Sequence, residues 1–236
     1  MNKINEFSAS IWENHKINWK EIKPDVNIIV GINGKGKTTL LDRIYKQYSK
    51  DSDCIYIRSI DNIALRDKRK VDNALSQELE YYLFDTKVGP SLMTRRTLPY
   101  DSPDITVEDI KQQEEEFIHL VNELLADTNK IISLKASNDP VVIGDKRYPI
   151  SVLSSGEKQL LLILLRVFLS KGTCPLVLID EPENSLHISW QSELINILTE
   201  LNPSAQYIIT THSPSIFGDG WGDKVVYIEN IVMPQE

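Results

Sequence analysis

Cysteine is scarce: the 236 residues hold two, Cys54 and Cys174. They are too few and too far apart for a disulfide scaffold, so two buried or free thiols in a reducing cytoplasm are expected. No apolar run approaches the roughly 18 to 20 residues that cross a bilayer, so no membrane span is expected. The opening MNKINEFSASIWENHK lacks the continuous apolar stretch of a secretory signal. Glycine and proline, at 10 and 11 residues, follow no period and form no tract, which excludes collagen-like and low-complexity chains. Positive charge is in deficit, 26 Lys and Arg against 34 Asp and Glu, for a net charge of -8. That balance opposes indiscriminate adhesion to DNA or anionic lipid, and a nucleic-acid partner would require a local basic patch. What is there, 41% hydrophobic and 25% charged residues, is the composition of one globular domain with a sizeable core and room for an inserted subdomain.

Hydrophobic periodicity divides the chain. Asn27 to Val30 is a short apolar run halted at Gly31, and TLLDRIYKQY beyond it has helical spacing, giving strand, loop and helix in succession. Ser52 to Ile57 predicts a second strand, followed by a polar, basic stretch through Arg66, Lys68, Arg69 and Lys70. Helices are predicted over Val71–Phe84 and Val107–Leu134, with a loop containing Pro90, Pro99 and Pro103 between them. In the second, Ile110, Phe117, Leu120, Val121, Leu124 and Leu125 fit a helical face. At 1.5 Å per residue it would be about 40 Å long, a lid or arm and not an extended coiled coil. Val141–Gly144 and Tyr148–Val152 read as a hairpin. A helix over Gly156–Leu169, a strand over Leu176–Ile179, a helix over Trp190–Leu201 and strands over Tyr207–Thr210 and Val225–Ile228 complete the alternation of a parallel α/β core.

The sharpest chemical feature is Gly31-Ile-Asn-Gly-Lys-Gly36-Lys37-Thr38, a complete G-x-x-x-x-G-K-[ST] pattern placed after a strand and at the start of a helix. Glycines let the backbone curl so that successive N–H groups and the helix N-terminus point at a β-phosphate. Lys37 then bridges β- and γ-phosphates and the Thr38 hydroxyl binds Mg²⁺. The nucleotide-contacting positions are expected to be Asn33, Gly34, Lys35, Gly36, Lys37, Thr38 and Thr39. The competing reading is a Gly-rich turn with an incidental lysine.

A second element, Leu176-Val-Leu-Ile-Asp180-Glu181, is an apolar strand ending in two acids, which a parallel sheet would bring to its ligand-binding edge. Asp180 can hold Mg²⁺ through water, and Glu181 can orient the attacking water or accept its proton. Alone, the pair would read as a solvated turn or helix cap. Ser154, Ser155, Gly156 and Glu157 open another helix and offer a second anion-binding N-terminus, or a plain cap by Ser154 or Ser155. One chain needs one phosphate cradle per nucleotide, so a second cradle makes sense if it caps the γ-phosphate bound by another copy. That implies a head-to-tail pair with two ATP molecules at its interface. His212, in IITTHSP, follows a further apolar strand, where it could touch the γ-phosphate or position Glu181, or serve structure alone.

In this order, GINGKGKTTLL, LSSGEKQLLL, LVLIDEPENSLH and IITTHSP resemble the nucleotide-binding domain of ABC-class ATPases. More narrowly they resemble the stand-alone AAA-family ATPases, types 21 and 15, related to SMC, RecF and OLD-type proteins. The likeness runs from about Asn27 to Pro214. It implies a P-loop NTPase of ABC-ATPase type, one domain over residues 1–236. The fold would be α/β, with a mostly parallel sheet, an antiparallel β subdomain and an inserted helical subdomain at about 60–140. By the same likeness Ser154 and Gly156 form the signature that binds a partner's γ-phosphate. Glu183, Asn184 and Ser185 would line the dimer seam, and His212 would be the switch histidine. The signature reads SSGE where transporter domains usually have SGGQ, and His187 stands where they usually carry Asp, so transport is disfavoured. Ile188 replaces the proline common after LH in the stand-alone group. An adenine-stacking aromatic is expected from the first strands, with Trp12 and Trp19 weighed against plain packing. The Mg²⁺-sensing glutamine expected after the strand near Ile57 finds no match by spacing in Gln77 or in Arg58–Asp61.

The resulting expectation is a cytoplasmic ATPase that closes as a homodimer on two Mg²⁺-ATP and opens after hydrolysis. Too few residues follow His212 for an OLD-type nuclease domain and no SMC-length arm is present, so the output is expected through a separate effector. The resemblance suggests a nuclease or toxin of a bacterial defence or toxin system. The alternatives are the ATPase subunit of a membrane transporter, and a RecF-like DNA-repair clamp using Arg66, Lys68, Arg69, Lys70, Arg95 and Arg96. Interleaved Asp61, Asp67 and Asp72 favour a solvated loop for that cluster.

Overall fold

The computed structural model describes residues 3–12, 14–49, 54–59, 68–86, 90–101, 104–134, 139–173, 175–218 and 220–234, with 68–71 and 101 described by backbone alone. Cys174, Arg66, Asp61, Asp67 and Pro103, and the side chains of Lys68, Arg69 and Lys70, lie outside the described residues. The chain divides into two compact units, residues 1–63 with 170–236, and residues 64–169. The first unit opens with β1 (Glu6–Trp12), β2 (His15–Lys20), β3 (Val26–Val30), α1 (Lys37–Tyr48) and β4 (Cys54–Ile57). The second contains helices α2 (Lys68–Phe84), α3 (Leu92–Arg95), α4 (Leu98–Asp101) and α5 (Val107–Leu124). It continues with β5 (Ile131–Ile132), β6 (Val141–Ile143), β7 (Lys146–Tyr148) and α6 (Ser155–Leu169). The chain returns to the first unit with β8 (Leu176–Asp180), α7 (Ile188–Leu201), β9 (Gln206–Thr211), β10 (Val225–Tyr227) and β11 (Val232–Pro234).

The first unit holds a five-stranded sheet in the order β10-β3-β9-β8-β4, every pairing parallel. Strands buried on both faces carry apolar runs without alternation, and IIV of β3, LVLI of β8 and YII of β9 do so. Their register matters for chemistry: Val30 pairs with Thr211, and Asp180 with Thr210, so three strands end at one level. A second sheet, β1-β2-β11, is antiparallel. Its inward residues alternate, and Phe7, Ile11, Ile17 and Trp19 join Leu40, Leu41 and Ile44 of α1 in one core.

In the second unit Leu75, Leu79 and Leu83 are fully buried along α2, and Phe117 of α5 stacks on Phe168 of α6 at 4.6 Å between ring centres. Two expectations need correction here. The helix predicted over 107–134 ends at Leu124; Asn129 turns into the left-handed region at φ 55°, and Ile131 and Ile132 pair with Val142 and Val141 as a strand. The hairpin's second strand is Lys146–Tyr148, and 150–152 forms a 3-10 turn that leads into α6. Among the described residues no helix is long and apolar enough to cross a membrane.

Candidate functional site

The loop after β3 is shaped by glycine. Gly36 caps α1 at φ 96°, a conformation that side chains disfavour, and a Cβ there would stand 3.1 Å from the Trp12 ring. Lys37 is 4% exposed. Its ammonium donates to the Gly31 carbonyl at 2.9 Å and lies 3.5 Å from both Asn33 Oδ1 and Glu181 Oε1. A buried cation needs such acceptors. A cavity of about 180 Å³ is lined by Trp12, Asn33, Gly34, Gly36, Lys37, Thr38, Thr39 and Glu181. Lys35 is exposed and is not among the residues lining the cavity. Trp12 is 44% exposed at this cavity, whereas Trp19 is 2% exposed and belongs to the core.

Asp180 ends β8, 1% exposed. The Thr38 hydroxyl lies 2.9 Å from Oδ2 and 3.2 Å from Oδ1, and the Thr210 hydroxyl donates to Oδ1 at 2.6 Å. Burial pushes the Asp180 carboxyl above the usual carboxylate range, against the hydrogen bonds from Thr210 and Thr38 that pull it down. A threonine hydroxyl and one carboxylate are hard oxygen donors meeting at one point. Mg²⁺ favours this kind of sparse protein set, completing its shell with water and phosphate, so the donors fit that ion.

Glu181 takes the left-handed φ of 46°, with its N–H donating to the Thr210 carbonyl at 3.0 Å. That backbone turn places its carboxylate beside Lys37, at the cavity. The His212 imidazole is 46% exposed, with Nδ1 3.9 Å from Glu181 and 3.1 Å from Glu183. The Asn184 amide donates to Ser59 Oγ at 2.9 Å, and Ser185 sits at φ 70°. The first unit thus brings Lys37 to Glu181, His212 to Glu183, and Thr38 and Thr210 to Asp180.

Ser154, Ser155, Gly156 and Glu157 lie in the second unit, at the N-terminus of α6. Ser154 is exposed, and Ser155 and Gly156 are half-buried. Ser154 and Glu157 form a reciprocal cap: the Ser154 N–H donates to Glu157 Oε2 at 2.6 Å and the Glu157 N–H to Ser154 Oγ at 3.3 Å. Lys130 pairs with the same carboxylate at 2.7 Å. The next residue, Lys158, is fully buried and pairs with Asp72 of α2 at 2.7 Å.

Burial pushes the Glu157 carboxyl up, but Lys130 and Ser154 outweigh it and hold the group below its ordinary value of 4.5. A depressed folded-state value contributes stability that is present above 4.5 and lost as pH falls through the folded value. Glu157→Gln is therefore expected to cost about 1–3 kcal/mol at pH 7. The gap from the parent should shrink as pH falls below 4.5. Urea unfolding across that range checks this; an equal gap at every pH would deny the ion pair its role.

Of the basic residues considered for DNA, Arg96 forms a forked pair with Glu114, at 3.0 and 2.8 Å. Arg95 donates to Gln113 and lies over the Phe168 ring, 4.8 Å from its centre. Both guanidinium groups are engaged within the unit. Gln77 is exposed on α2 and belongs to the second unit. Sequence reasoning missed Thr210 and the contact of Glu183 with His212. Each joins residues about thirty apart that come together where β8 and β9 end side by side.

Residues 89–218, more than half the chain, match the family described as "AAA domain, putative AbiEii toxin, Type IV TA system". The chain is 22% identical over 197 residues to the ribose import ATP-binding protein RbsA of Clostridium tetani, covering 80% of this chain and 35% of that one. It therefore spans about a third of that relative's length. Among solved structures, the Smc head bound to the C-winged helix domain of ScpA matches with a TM-score of 0.58 at 13% identity, over 92% of this chain and 91% of that one. A Pyrococcus furiosus protein described as a "putative ABC transporter (ATP-binding protein)" matches with a TM-score of 0.53 at 15% identity, over 97% of each. The shared fold is that of P-loop ATPase heads, α/β with a parallel sheet, antiparallel strands and helices.

Proposed function

The chain belongs to this family of AAA domains, and from that premise we propose that it works as one ATPase domain, a homodimer closed on two Mg²⁺-ATP and opened by hydrolysis. The observation that carries the reading is the meeting of the Gly-rich loop with the acidic strand end, Thr38 on Asp180 and Lys37 beside Glu181. Asn33, Gly34, Lys35, Gly36 and Thr39 shape the cradle, and its backbone N–H groups take the β-phosphate. Lys37 turns from the Gly31 carbonyl and Glu181 toward phosphate oxygens. Thr38 and Asp180 would hold Mg²⁺, which when bound offsets phosphate charge. Glu181 orients water and takes its proton on the carboxylate. His212 presents its imidazole to the γ-phosphate. Trp12, exposed against the loop, is the aromatic that stacks on adenine.

Ser154, Ser155, Gly156 and the cap formed by Glu157 make a second anion-binding helix start. Its use is to bind the γ-phosphate held by another copy, so that ATP selects the closed dimer and controls a shape. The effector is a separate cytoplasmic protein, a nuclease or toxin of an antiphage or toxin system, in keeping with the family's toxin–antitoxin description. A second reading, the energy-coupling subunit of a transporter, draws on the likeness to a ribose import protein. The repair-clamp reading is weakened by the engagement of Arg95 and Arg96. Affinity capture of the Glu181→Gln protein from its native host in Mg²⁺-ATP, read by mass spectrometry, separates the three. A soluble nuclease or toxin is expected; a permease, or a partnerless dimer carrying DNA, would overturn the effector assignment.

A further inference from the structure

Glu183 lies two residues beyond Glu181 but faces inward, its side chain 4% exposed. One oxygen, Oε1, gathers three groups. The Thr211 hydroxyl donates to it at 2.7 Å and the His212 backbone N–H at 2.8 Å, and His212 Nδ1 stands 3.1 Å away. The other oxygen, Oε2, is buried with no donor among the described residues. Glu181 is 3.9 Å from the same Nδ1, outside hydrogen-bond reach, so of the two acids it is Glu183 that stands within reach of the ring.

A neutral amide would still accept from Thr211 and from the His212 backbone, though less strongly than a carboxylate. What a carboxylate adds is attraction for the imidazole Nδ1–H. A histidine that donates from Nδ1 offers Nε2, across the ring, to a ligand, and the partner of the first nitrogen sets the tautomer and orientation of the ring. The loop is bound to the segment after β9 a second time: Gln191 donates to the Leu186 carbonyl at 3.0 Å and accepts from Ser213 Oγ at 2.7 Å. The 183–186 loop and the segment after β9 are thus tied together at two points.

We propose that Glu183 is a positioning residue for ATP hydrolysis, holding His212 by Nδ1–H so that Nε2 faces the γ-phosphate and making the histidine follow the loop at the dimer seam. The inference rests on the reading of the site in the preceding subsection. Two measurements on the full chain test it. In the ¹⁵N-labelled parent, imidazole correlations should show a proton on His212 Nδ1; a bare Nδ1 with the proton on Nε2 would overturn the proposal without any variant. In kinetics, Glu183→Gln keeps shape and an acceptor, and should lower kcat about 10- to 100-fold with KM for ATP unchanged. Adding Glu183→Gln to His212→Ala should slow the enzyme no further, because the first acts through the second. If the two losses multiply, or Glu183→Gln turns over at the parental rate while His212→Ala is slow, the positioning role fails and the site stands. If His212→Ala itself hydrolyses ATP like the parent, the reading of His212 falls and this inference with it.

Discussion

Glu181→Gln is expected to lower steady-state ATP turnover by about 10²–10⁴-fold, the range that a positioned general base supplies. This corresponds to roughly 3–5 kcal/mol of barrier. The substitution preserves the side-chain volume and does not disturb the backbone hydrogen bonds from the Glu181 N–H to Thr210 that hold the left-handed turn. What it removes is the basic oxygen beside Lys37 and one negative charge next to the incoming phosphates. ATP affinity should therefore hold or rise while the chemical step stalls. Light scattering in Mg²⁺-ATP should then find a persistent dimer where the parent returns to its nucleotide-free state. Parental turnover in this variant would remove Glu181 from the chemistry, whatever the dimer does.

The parts of this site that follow from local chemistry were legible in the sequence. NIIV halting at a glycine, the spacing of Gly31, Gly36, Lys37 and Thr38, and the apolar run ending in Asp180 and Glu181 each state their own structure. Buried parallel strands need no alternation to be read, because both faces are covered. Where partners are distant the reading gave out. The helical spacing of α5 runs on through apolar Ile131 and Ile132, yet those residues are claimed by Val141 and Val142. Lys146–Tyr148 carries little apolar signal and owes its strand to pairing with β6. Trp12 and Trp19 sit on β1 and β2 with similar local surroundings, and only the packing of the antiparallel sheet on α1 buries one and leaves the other at the loop. The family likeness puts Glu183 in a loop at a seam; its inward turn toward His212 depends on how β8 and β9 end side by side, which no local pattern encodes.

Lys37→Ala should act earlier in the cycle than the Glu181 substitution, and the difference between them tests the order of events. Lys37 is buried with its ammonium 2.9 Å from the Gly31 carbonyl and 3.5 Å from Glu181. Truncating a desolvated, hydrogen-bonded charge that meets an opposite charge typically costs about 2–5 kcal/mol of binding, roughly 30- to several-thousand-fold in Kd. Part of that loss comes from Glu181, which without its cation would repel the incoming phosphates. A fluorescent nucleotide titration should show the weakened binding, and light scattering in Mg²⁺-ATP should show no closure. The double variant Lys37→Ala with Glu181→Gln decides between phosphate anchoring and mere charge balance. If Lys37 anchors phosphate, the double variant stays open, because a stalled chemical step cannot trap a state that ATP never selects. If Lys37 serves only to neutralise Glu181, removing both charges together restores nucleotide binding and the dimer, and the loop would have to hold ATP through its backbone N–H groups alone.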